Sequence, residues 1–302
     1  MVSVQVRKQQ VRYAVERGVS QRRACTLMQI SRAMLTYEHR MPVKDAGASL
    51  RMKELSAQYP RYGYRRIRIF LGRDGFEMSA SRAWRLWNAH GLQLPRRRPR
   101  KRAATGRPRP LAPTRANQVW SYDFVFDACA NGQQLKCLTL IDEFTKEALA
   151  IDVAGSIRSA KVIDILSRVI SHRGAPAFLR SDNGPEFVAT ALLKWATENK
   201  IETALIDTDK PRQNGATESF NGKFRYECLS VEWFRNRLEA KVVIKEWRAD
   251  DNEVRPHSSL GYRTPREFIE QFAPKGNSGE AKVNMVMARR NRAGHWCSAN
   301  LI

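Results

Sequence analysis

A chain of 302 residues is long enough for one sizeable domain accompanied by one or two small ones. Its formal net charge of +23 is too large for an ordinary metabolic enzyme and indicates a polyanionic partner. Apolar residues make up 42% of the chain and aromatic residues 9%, a composition that supports a packed core and excludes a disordered basic tail.

The five cysteines are odd in number and form no CxxC pair. They predict reduced, mostly packed thiols and neither a disulfide framework nor a zinc site. The amino-terminal segment lacks the apolar region of a signal peptide, and no apolar run has the length of a membrane span. We therefore expect a soluble, intracellular protein without a membrane partner.

Residues 1–42 are basic and predict short helices, for which Ser20 and Ser31 are candidate caps. Two capped helices joined by a tight turn are typical of a helix-turn-helix. The same pattern fits any small helical bundle, and for this segment alone we favour the bundle.

Residues 43–94 predict a second, helix-turn-helix-like unit. One helix follows Arg61 and ends near Asp74-Gly75; a second, bearing Trp84 and Trp87, ends at Gly91. Arginines on the outer faces, Arg65 and Arg66 among them, fit contacts to DNA phosphates, and the alternative is a solvated face.

Residues 95–115 alternate proline and arginine and predict an extended linker. Its cations, which include Arg96, Arg97 and Arg98, suit a non-specific tether along a nucleic-acid backbone. A simple spacer is the alternative, and the two interpretations are compatible.

The pattern changes to strands after Gln118. Three hairpin-connected strands are followed by alternating helices and short strands, which predicts a five-stranded mixed sheet with helices on its faces over residues 116–275. Residues 276–302 are polar and predict a loosely held tail. The expected strands are 119–126, 135–144, 148–153, 177–180 and 202–206, and the expected helices are 159–171, 185–199, one beginning near Ala216, and 231–250.

Three acids stand where a site could form. Asp123 interrupts an apolar strand, Asp182 follows a short strand, and Glu218 begins a helix whose opposite stripe is apolar. Together they would make an all-oxygen site for Mg²⁺ or Mn²⁺, and two such ions roughly 4 Å apart support in-line phosphoryl transfer. Each acid alone has an ordinary structural explanation. Asp123 would be an ion-paired acid in a strand, Asp182 a cap of a turn, and Glu218 a charge in the first turn of a helix.

Other acids and motifs rank lower. Asp127 and Asp142 lie near strand ends, where solvated carboxylates are common, and His257 lies in a polar loop that either touches phosphates or turns the chain. The chain lacks the GxxxxGK[ST], GxGxxG and HExxH motifs, which argues against nucleotide-driven or zinc chemistry.

With these residues in place, the chain resembles the DDE transposases of bacterial insertion elements, in particular the second-frame product, OrfB, of the insertion-sequence-three family. The similarity runs from about residue 10 to 275. The segment RYGYRRIRIFLGRDGF resembles the family's second helix-turn-helix, and DNEVRPHSSLGYRTP its closing signature. The three catalytic blocks are matched by WSYDFVFD, LRSDNGPEF and KPRQNGATESFNGKFRYECL.

The resemblance implies an RNase H-like fold shared with retroviral integrases, with Asp123, Asp182 and Glu218 as catalytic triad and metal ligands. Arg225 matches a basic residue that contacts DNA near the scissile end, and we expect Asn221 and Lys210 to contact DNA as well. The implied partners are element ends, target DNA, further copies of the chain and an upstream-frame product, OrfA. The implied location is the bacterial cytoplasm, at the nucleoid.

The chain departs from the family at three positions. Asp251 stands where the family usually has tyrosine, Asp209 replaces a glycine before Lys210, and Lys146 stands near a usual arginine. These changes concern local DNA contacts and leave the metal ligands intact. Two alternative functions remain at this point: a nuclease of the same fold that does not join strands, and a non-catalytic DNA-binding regulator.

Overall fold

A computed structural model describes residues 3–37, 41–95, 111–181, 190–205 and 215–272, apart from the side chains of Pro42 and Leu205. The predicted tail, residues 276–302, lies outside these ranges. Five predicted site residues also lie outside them: Asp182, Lys210, Arg96, Arg97 and Arg98. No helix within the described ranges is both long and apolar enough to cross a bilayer.

The amino-terminal segment forms three short helices, α1 (Val4–Glu16), α2 (Gln21–Leu27) and α3 (Arg32–Thr36). They pack around a small core of Val11, Ala24 and Cys25. Ser31 caps α3 by accepting a hydrogen bond from the Met34 amide, whereas the Ser20 side chain makes no cap bond to α2.

The second helical unit comprises α4 (Met41–Gln58), α5 (Tyr64–Arg73) and α6 (Ala80–Ala89). Its apolar side chains form one cluster in which Trp87 is buried, while Trp84 on the same helix is 53% exposed. Ser79 caps α6, and Gly91 follows the helix with a φ of 66°, a left-handed conformation that suits glycine.

The five strands form the predicted mixed sheet. In chain order they are β1 (Val119–Ala128), β2 (Gln134–Asp142), β3 (Ala148–Ala154), β4 (Phe178–Ser181) and β5 (Glu202–Leu205). Their spatial order is β3-β2-β1-β4-β5. The first three pair as an antiparallel meander, and β1 also pairs parallel to β4, which places β1 at the centre.

Helices cover both faces of the sheet, as predicted. One face packs against α7 (Ser159–Arg173) and α8 (Thr190–Glu198), and the other against α9 (Gly215–Phe224) and α10 (Arg237–Glu253). A short helix, α11 (Pro265–Glu270), closes the described chain with a capping box at Thr264. This two-sided arrangement is the RNase H-like architecture.

Strand alternation decides which side chains face which helices. On β1, Trp120 and Tyr122 belong to the core under α7 and α8, and Val125 belongs to the core under α9 and α10. Because successive side chains point to opposite faces, Asp123 shares the face of Val125. The predicted strand acid therefore lies on the α9 side of the sheet.

Two expectations were wrong in detail. The last long helix begins at Arg237 and not near Val231, because α9 continues into a π-helical turn, Arg225–Leu229, and Asn236 then caps α10. Asp142 is fully buried rather than solvated. Its carboxylate accepts hydrogen bonds from the Asn117, Phe144 and Thr145 amides and so stabilises the β2–β3 turn.

The second helical unit contacts the sheet domain directly. Arg73 on α5 donates to the Val254 carbonyl at 2.7 Å and pairs with Glu267 on α11 at 3.1 Å. Arg66, also on α5, pairs with Glu227 in the π-helical turn at 3.0 Å. These contacts set the helical unit beside the carboxyl end of α9.

Candidate active site

Asp123 lies in the middle of the central strand with its carboxylate held at both oxygens. Oδ1 accepts a hydrogen bond from the Phe124 amide at 2.7 Å, and Oδ2 accepts one from Asn221 Nδ2 at 2.9 Å. The side chain is half-buried, so it is oriented by the protein and still open to a ligand.

Asn221 is itself oriented by a buried hydroxyl. Thr139 lies opposite Asp123 in the β1–β2 register, is 0% exposed, and its Oγ1 lies 2.9 Å from Asn221 Oδ1. The same hydroxyl lies 3.1 Å from the Asp123 carbonyl. Since a hydroxyl can donate only one proton, the bond to Asn221 and the bond to the carbonyl alternate or are shared. A chain of hydrogen bonds therefore runs from Thr139 in β2 through Asn221 in α9 to the Asp123 carboxylate.

A second polar contact fixes the start of α9. Thr217 Oγ1 donates to Ser121 Oγ at 2.7 Å, and both residues are fully buried. Glu218 is the next residue and is exposed, because the neighbouring buried positions turn it outward. On the other side of α9, Phe220 and Phe224 pack against Trp247, as the apolar stripe predicted.

The third predicted acid, Asp182, lies outside the described residues. In the parallel pairing of β1 with β4, Ser121 lies opposite Arg180. In the sequence, Ser121 precedes Asp123 by two positions, and Arg180 precedes Asp182 by two positions. Within the described ranges, no three histidine, cysteine, aspartate or glutamate side chains converge closely enough to hold a metal ion. Asp123 and Glu218 are the two predicted ligands that the structure places.

A groove of about 410 Å³ opens beside Glu218, between α9 and the second helical unit. Three cations line it: Arg61, Arg66 and Lys223. Burial, followed by the charge of Arg255, lowers the pKa of Lys223 to about 8. An anionic strand entering this groove would pass directly beside the exposed carboxylate.

The predicted DNA-contact residues differ in their surroundings. Arg65 is exposed, and Arg225 is exposed with its guanidinium donating to the Phe126 carbonyl at 3.1 Å. Arg66 is half-buried in its pair with Glu227, and Asn221 is only 7% exposed. The DNA contacts of all four stay predictions. The structure adds an internal hydrogen-bond partner for each of them, which for Arg65 is the Tyr64 hydroxyl.

A buried ion pair anchors the far end of the same helix. Glu227 accepts hydrogen bonds from Arg255 Nε at 2.6 Å and Nη2 at 2.8 Å, and both residues are buried. Burial opposes ionisation of Glu227, but the hydrogen bonds and charges of Arg255 and Arg66 hold its pKa below the ordinary value. His257 is 3% exposed, and burial with the Arg255 charge lowers its pKa to about 3. His257 therefore turns the chain as a neutral residue and does not face phosphates.

Sequence reasoning missed Thr139 and Thr217, which connect the sheet to α9. A signal existed, because Thr139 is a polar residue between two apolar residues, Leu138 and Leu140, in the strand that pairs with the one carrying Asp123. Identifying it required the β1–β2 register, which depends on the length of the turn that joins the two strands.

Models of known domain families match most of the chain. An integrase core domain matches residues 113–211 and a second integrase core model matches residues 199–265. An HTH-like domain matches residues 43–100. These ranges contain the sheet, the α9 helix and the second helical unit.

The chain is also similar to proteins of bacterial insertion elements. It is 43% identical over 269 residues to the 31.7 kDa protein of IS407 from Burkholderia multivorans, covering 89% of this chain and 97% of that protein. It is 39% identical to the 39.2 kDa protein of IS476 from Xanthomonas euvesicatoria, covering 84% and 73%. It is 31% identical to the transposase InsD of IS2 from Escherichia coli, covering 78% and 82%.

Solved structures with a similar arrangement include two viral assemblies. The HTLV-2 integrase catalytic core domain in complex with magnesium has a TM-score of 0.38 at 18% identity, covering 51% of this chain and 96% of that one. The simian T-cell lymphotropic virus intasome has a TM-score of 0.45 at 17% identity, covering 77% and 78%.

Proposed function

Because the chain belongs to the integrase-core transposases of bacterial insertion elements, the insertion-sequence-three family, we propose that it cuts element ends and joins each freed 3′-hydroxyl to target DNA. Members of this family are DNA-cutting and joining enzymes, polynucleotidyl transferases, and use divalent metal ions. The finer proposal concerns the metal ligands, the number of ions and the joining step.

We assign the metal ligands to Asp123, Asp182 and Glu218, with two Mg²⁺ or Mn²⁺ ions. The donor set is carboxylate oxygen throughout, which suits these hard ions. When bound, such ions would activate a water or 3′-hydroxyl and stabilise charge on the leaving oxygen.

One observation carries this proposal: the two hydrogen-bonded contacts that attach α9 to β1. The Thr217–Ser121 bond and the Asn221–Asp123 bond flank Glu218 on the helix, so Glu218 is held beside the strand that carries Asp123. Asp182 follows β4, the parallel neighbour of that strand, in the sequence. Preorganised carboxylates need no rearrangement when charge develops on the phosphate.

The DNA partner is supported by charge and by the HTH-like match. We propose that the exposed Arg65 and the linker arginines bind the element end, while the groove cations hold the strand beside Glu218. Joining two ends requires at least two catalytic centres, so we propose a homo-oligomer on DNA. An upstream-frame product remains a further proposed partner, and the proposed location is the bacterial nucleoid.

The test is a strand-transfer assay with a duplex that carries the element's terminal repeat, read from the DNA flanking the coding sequence. With Mg²⁺, wild type should cut the labelled end and join it to target DNA. Asp123→Asn should abolish both products while binding to the end persists. Asp127→Asn is the matched control, since it removes a carboxylate of the same strand whose one hydrogen bond within the described ranges is to the neighbouring Ala128 amide.

Each alternative function predicts a different result. A nuclease without joining would yield cut strands only, even when 3′-hydroxyl ends are supplied in excess. A non-catalytic regulator would bind the end and cut nothing in either metal. Equal activity of wild type and Asp123→Asn would refute the assignment of the acids.

A further inference from the structure

The amino-terminal unit, α1 to α3, contributes no residue to the groove beside Glu218. Its three helices enclose a small core in which Val11 on α1 packs with Ala24 and Cys25 on α2. One side of each helix therefore faces inward and the other faces solvent. Further apolar residues surround that core on α1, on α3 and in the two turns: Ala14, Val19, Met28, Ile30 and Leu35.

The turn between α2 and α3 is short and passes through a left-handed conformation. It comprises four residues, 28–31. Gln29 has a φ of 51°, and the Ile30 amide donates to the Cys25 carbonyl at 3.0 Å, so the chain changes direction immediately after α2. Two short helices joined by such a turn, with a preceding helix packed against them, form the helix-turn-helix arrangement.

The preceding helix, α1, fixes the position of this turn and of α3. Arg7 Nη1 donates to the Gln29 carbonyl at 3.5 Å, and Lys8 Nζ donates to the Tyr37 carbonyl at 2.7 Å. These two cations are therefore used inside the unit. Because both ends of the turn and helix are held, the outward side of α3 keeps one orientation relative to α1.

The outward side of the unit is basic. Residues 3–37 contain seven lysines and arginines and a single acid, Glu16. Arg73 and Arg82 of the second helical unit, by contrast, each pair with an acid. An exposed basic surface without acids attracts a polyanion. Four exposed arginines of the amino-terminal unit have no acid partner among the residues that the structure describes: Arg12, Arg22, Arg23 and Arg32.

The residue types on α2 and α3 fit the two kinds of contact that DNA offers. On α3, Leu35 packs towards the core, whereas Arg32 and Ala33 are exposed. A guanidinium can donate two hydrogen bonds to guanine O6 and N7, and a methyl group can contact thymine. On α2, Arg22 and Arg23 are exposed, and the first helix of this arrangement crosses the phosphate backbone.

We propose that α1 to α3 form a second DNA-binding unit, separate from α4 to α6. In it, α3 reads bases in the major groove of the element end, with Arg32 as the main base contact, and α2 contacts phosphates through Arg22 and Arg23. The proposal rests on the proposed function only for the identity of this DNA. An element end would then be read at two places by one chain.

A protein partner is the other occupant that this surface could have. Leu27 is 65% exposed and Tyr37 is 55% exposed, so the unit also presents apolar side chains. The excess of seven cations over one acid favours DNA, because repulsion among unpaired arginines is relieved by phosphates and not by apolar contacts.

The test is fluorescence anisotropy of the full chain in EDTA, where neither cutting nor joining takes place. Two labelled duplexes of equal length are compared, one with the element's terminal repeat and one of unrelated sequence. Arg32→Ala should weaken binding to the terminal repeat on the order of tenfold or more and change binding to the unrelated duplex by less than about threefold. Arg22→Ala combined with Arg23→Ala should weaken binding to both duplexes and reduce the salt dependence by about two phosphate contacts.

Lys245→Ala is the matched control, since it removes an exposed cation on α10, and it should bind both duplexes as wild type does. The replaced side chains are all exposed, so the Tm of every variant should match that of wild type. In hydroxyl-radical footprints, wild type should protect two separate segments of the element end and Arg32→Ala only one.

Three results would overturn the proposal. They are wild-type affinity of Arg32→Ala for the terminal repeat, an equal loss in Lys245→Ala, and a changed oligomeric state of the arginine variants with unchanged DNA affinity, which would assign the surface to a protein partner. Because binding is measured without metal, loss of joining through the catalytic acids would leave these results unaffected, so the two proposals fail separately.

Discussion

Removing the Thr139 hydroxyl should disturb Asp123, the proposed catalytic acid, although Asp123 itself is unchanged. In Thr139→Val the volume of the side chain is kept, but Asn221 Oδ1 loses the donor that lies 2.9 Å away. The amide then either stays in place with a buried, unsatisfied oxygen or rotates and releases Asp123 Oδ2, to which its Nδ2 now donates at 2.9 Å.

Both outcomes have a measurable size. A buried polar atom left without its partner costs about 1–3 kcal/mol, so the free energy of unfolding should fall by roughly 2 kcal/mol in urea titration. A carboxylate displaced by a fraction of an ångström should slow strand cleavage by about tenfold or more, since misplacement by ~1 Å can cost a hundredfold. Binding to the element end should be unchanged.

The matched control is Thr197→Val on α8, where the hydroxyl is exposed and, among the residues that the structure describes, bonds only to the Leu193 carbonyl of its own helix. That variant should lose less than about 0.5 kcal/mol and cut at the wild-type rate. If Thr139→Val matches wild type in stability and cleavage, then Asn221 does not depend on Thr139, and the chain from the sheet to Asp123 is refuted.

Four further changes test other parts of the structure. Glu218→Gln removes an exposed carboxylate, so thermal unfolding and DNA affinity should stay close to wild type while cleavage is lost; residual cleavage at the wild-type rate would exclude Glu218 as a ligand. Phe224→Ala empties a fully buried position against Trp247 and should lower the free energy of unfolding by about 3–5 kcal/mol, where a loss below about 1 kcal/mol would contradict the packing. Arg255→Met leaves the buried Glu227 charge without its main partner and should cost roughly 3–5 kcal/mol in urea titration, whereas a neutral effect would mean that the pair contributes little. Burial raises the pKa of Asp251 to about 6, above its unfolded value of about 4, so the folded state holds the proton more tightly and wild type loses stability as the pH rises between those values. Asp251→Asn does not lose stability over this range. The free energy of unfolding of the variant minus that of wild type should therefore rise by about 2–3 kcal/mol from pH 4 to pH 7, and a difference that does not change with pH would contradict the assigned pKa.

The strands and the orientation of α9 were predictable because they depend on local patterns. The aromatic and β-branched residues of β1 predict a strand, and the Phe220–Phe224 stripe predicts the buried face of α9; the structure confirms both, with β1 buried on both of its faces. The acids on the opposite face of that helix, and on the strand below it, follow from the same patterns.

Features that depend on tertiary contacts were not predictable in the same way. Asp142 looks like an ordinary acid at a strand end, but when buried it accepts hydrogen bonds from the Phe144 and Thr145 amides of its own turn and from the Asn117 amide before β1, which only the folded chain brings near. The late start of α10 depends on the π-helical turn, whose sequence does not differ from that of an ordinary helix. Likewise, the pairing of Glu227 with Arg255 joins distant segments that no local pattern connects.

The π-helical turn after α9 has a consequence for how this enzyme can vary. Such a turn is equivalent to one additional residue in an α-helix, and each residue in a helix turns the chain by about 100°. Glu218 precedes the turn and lines the groove, and Glu227 lies within the turn and pairs with the buried Arg255. Deleting a residue of the turn that precedes Glu227 would therefore change the direction of Glu227 relative to Glu218, although both side chains would still be present. Length in this segment should accordingly be less tolerant of change than composition.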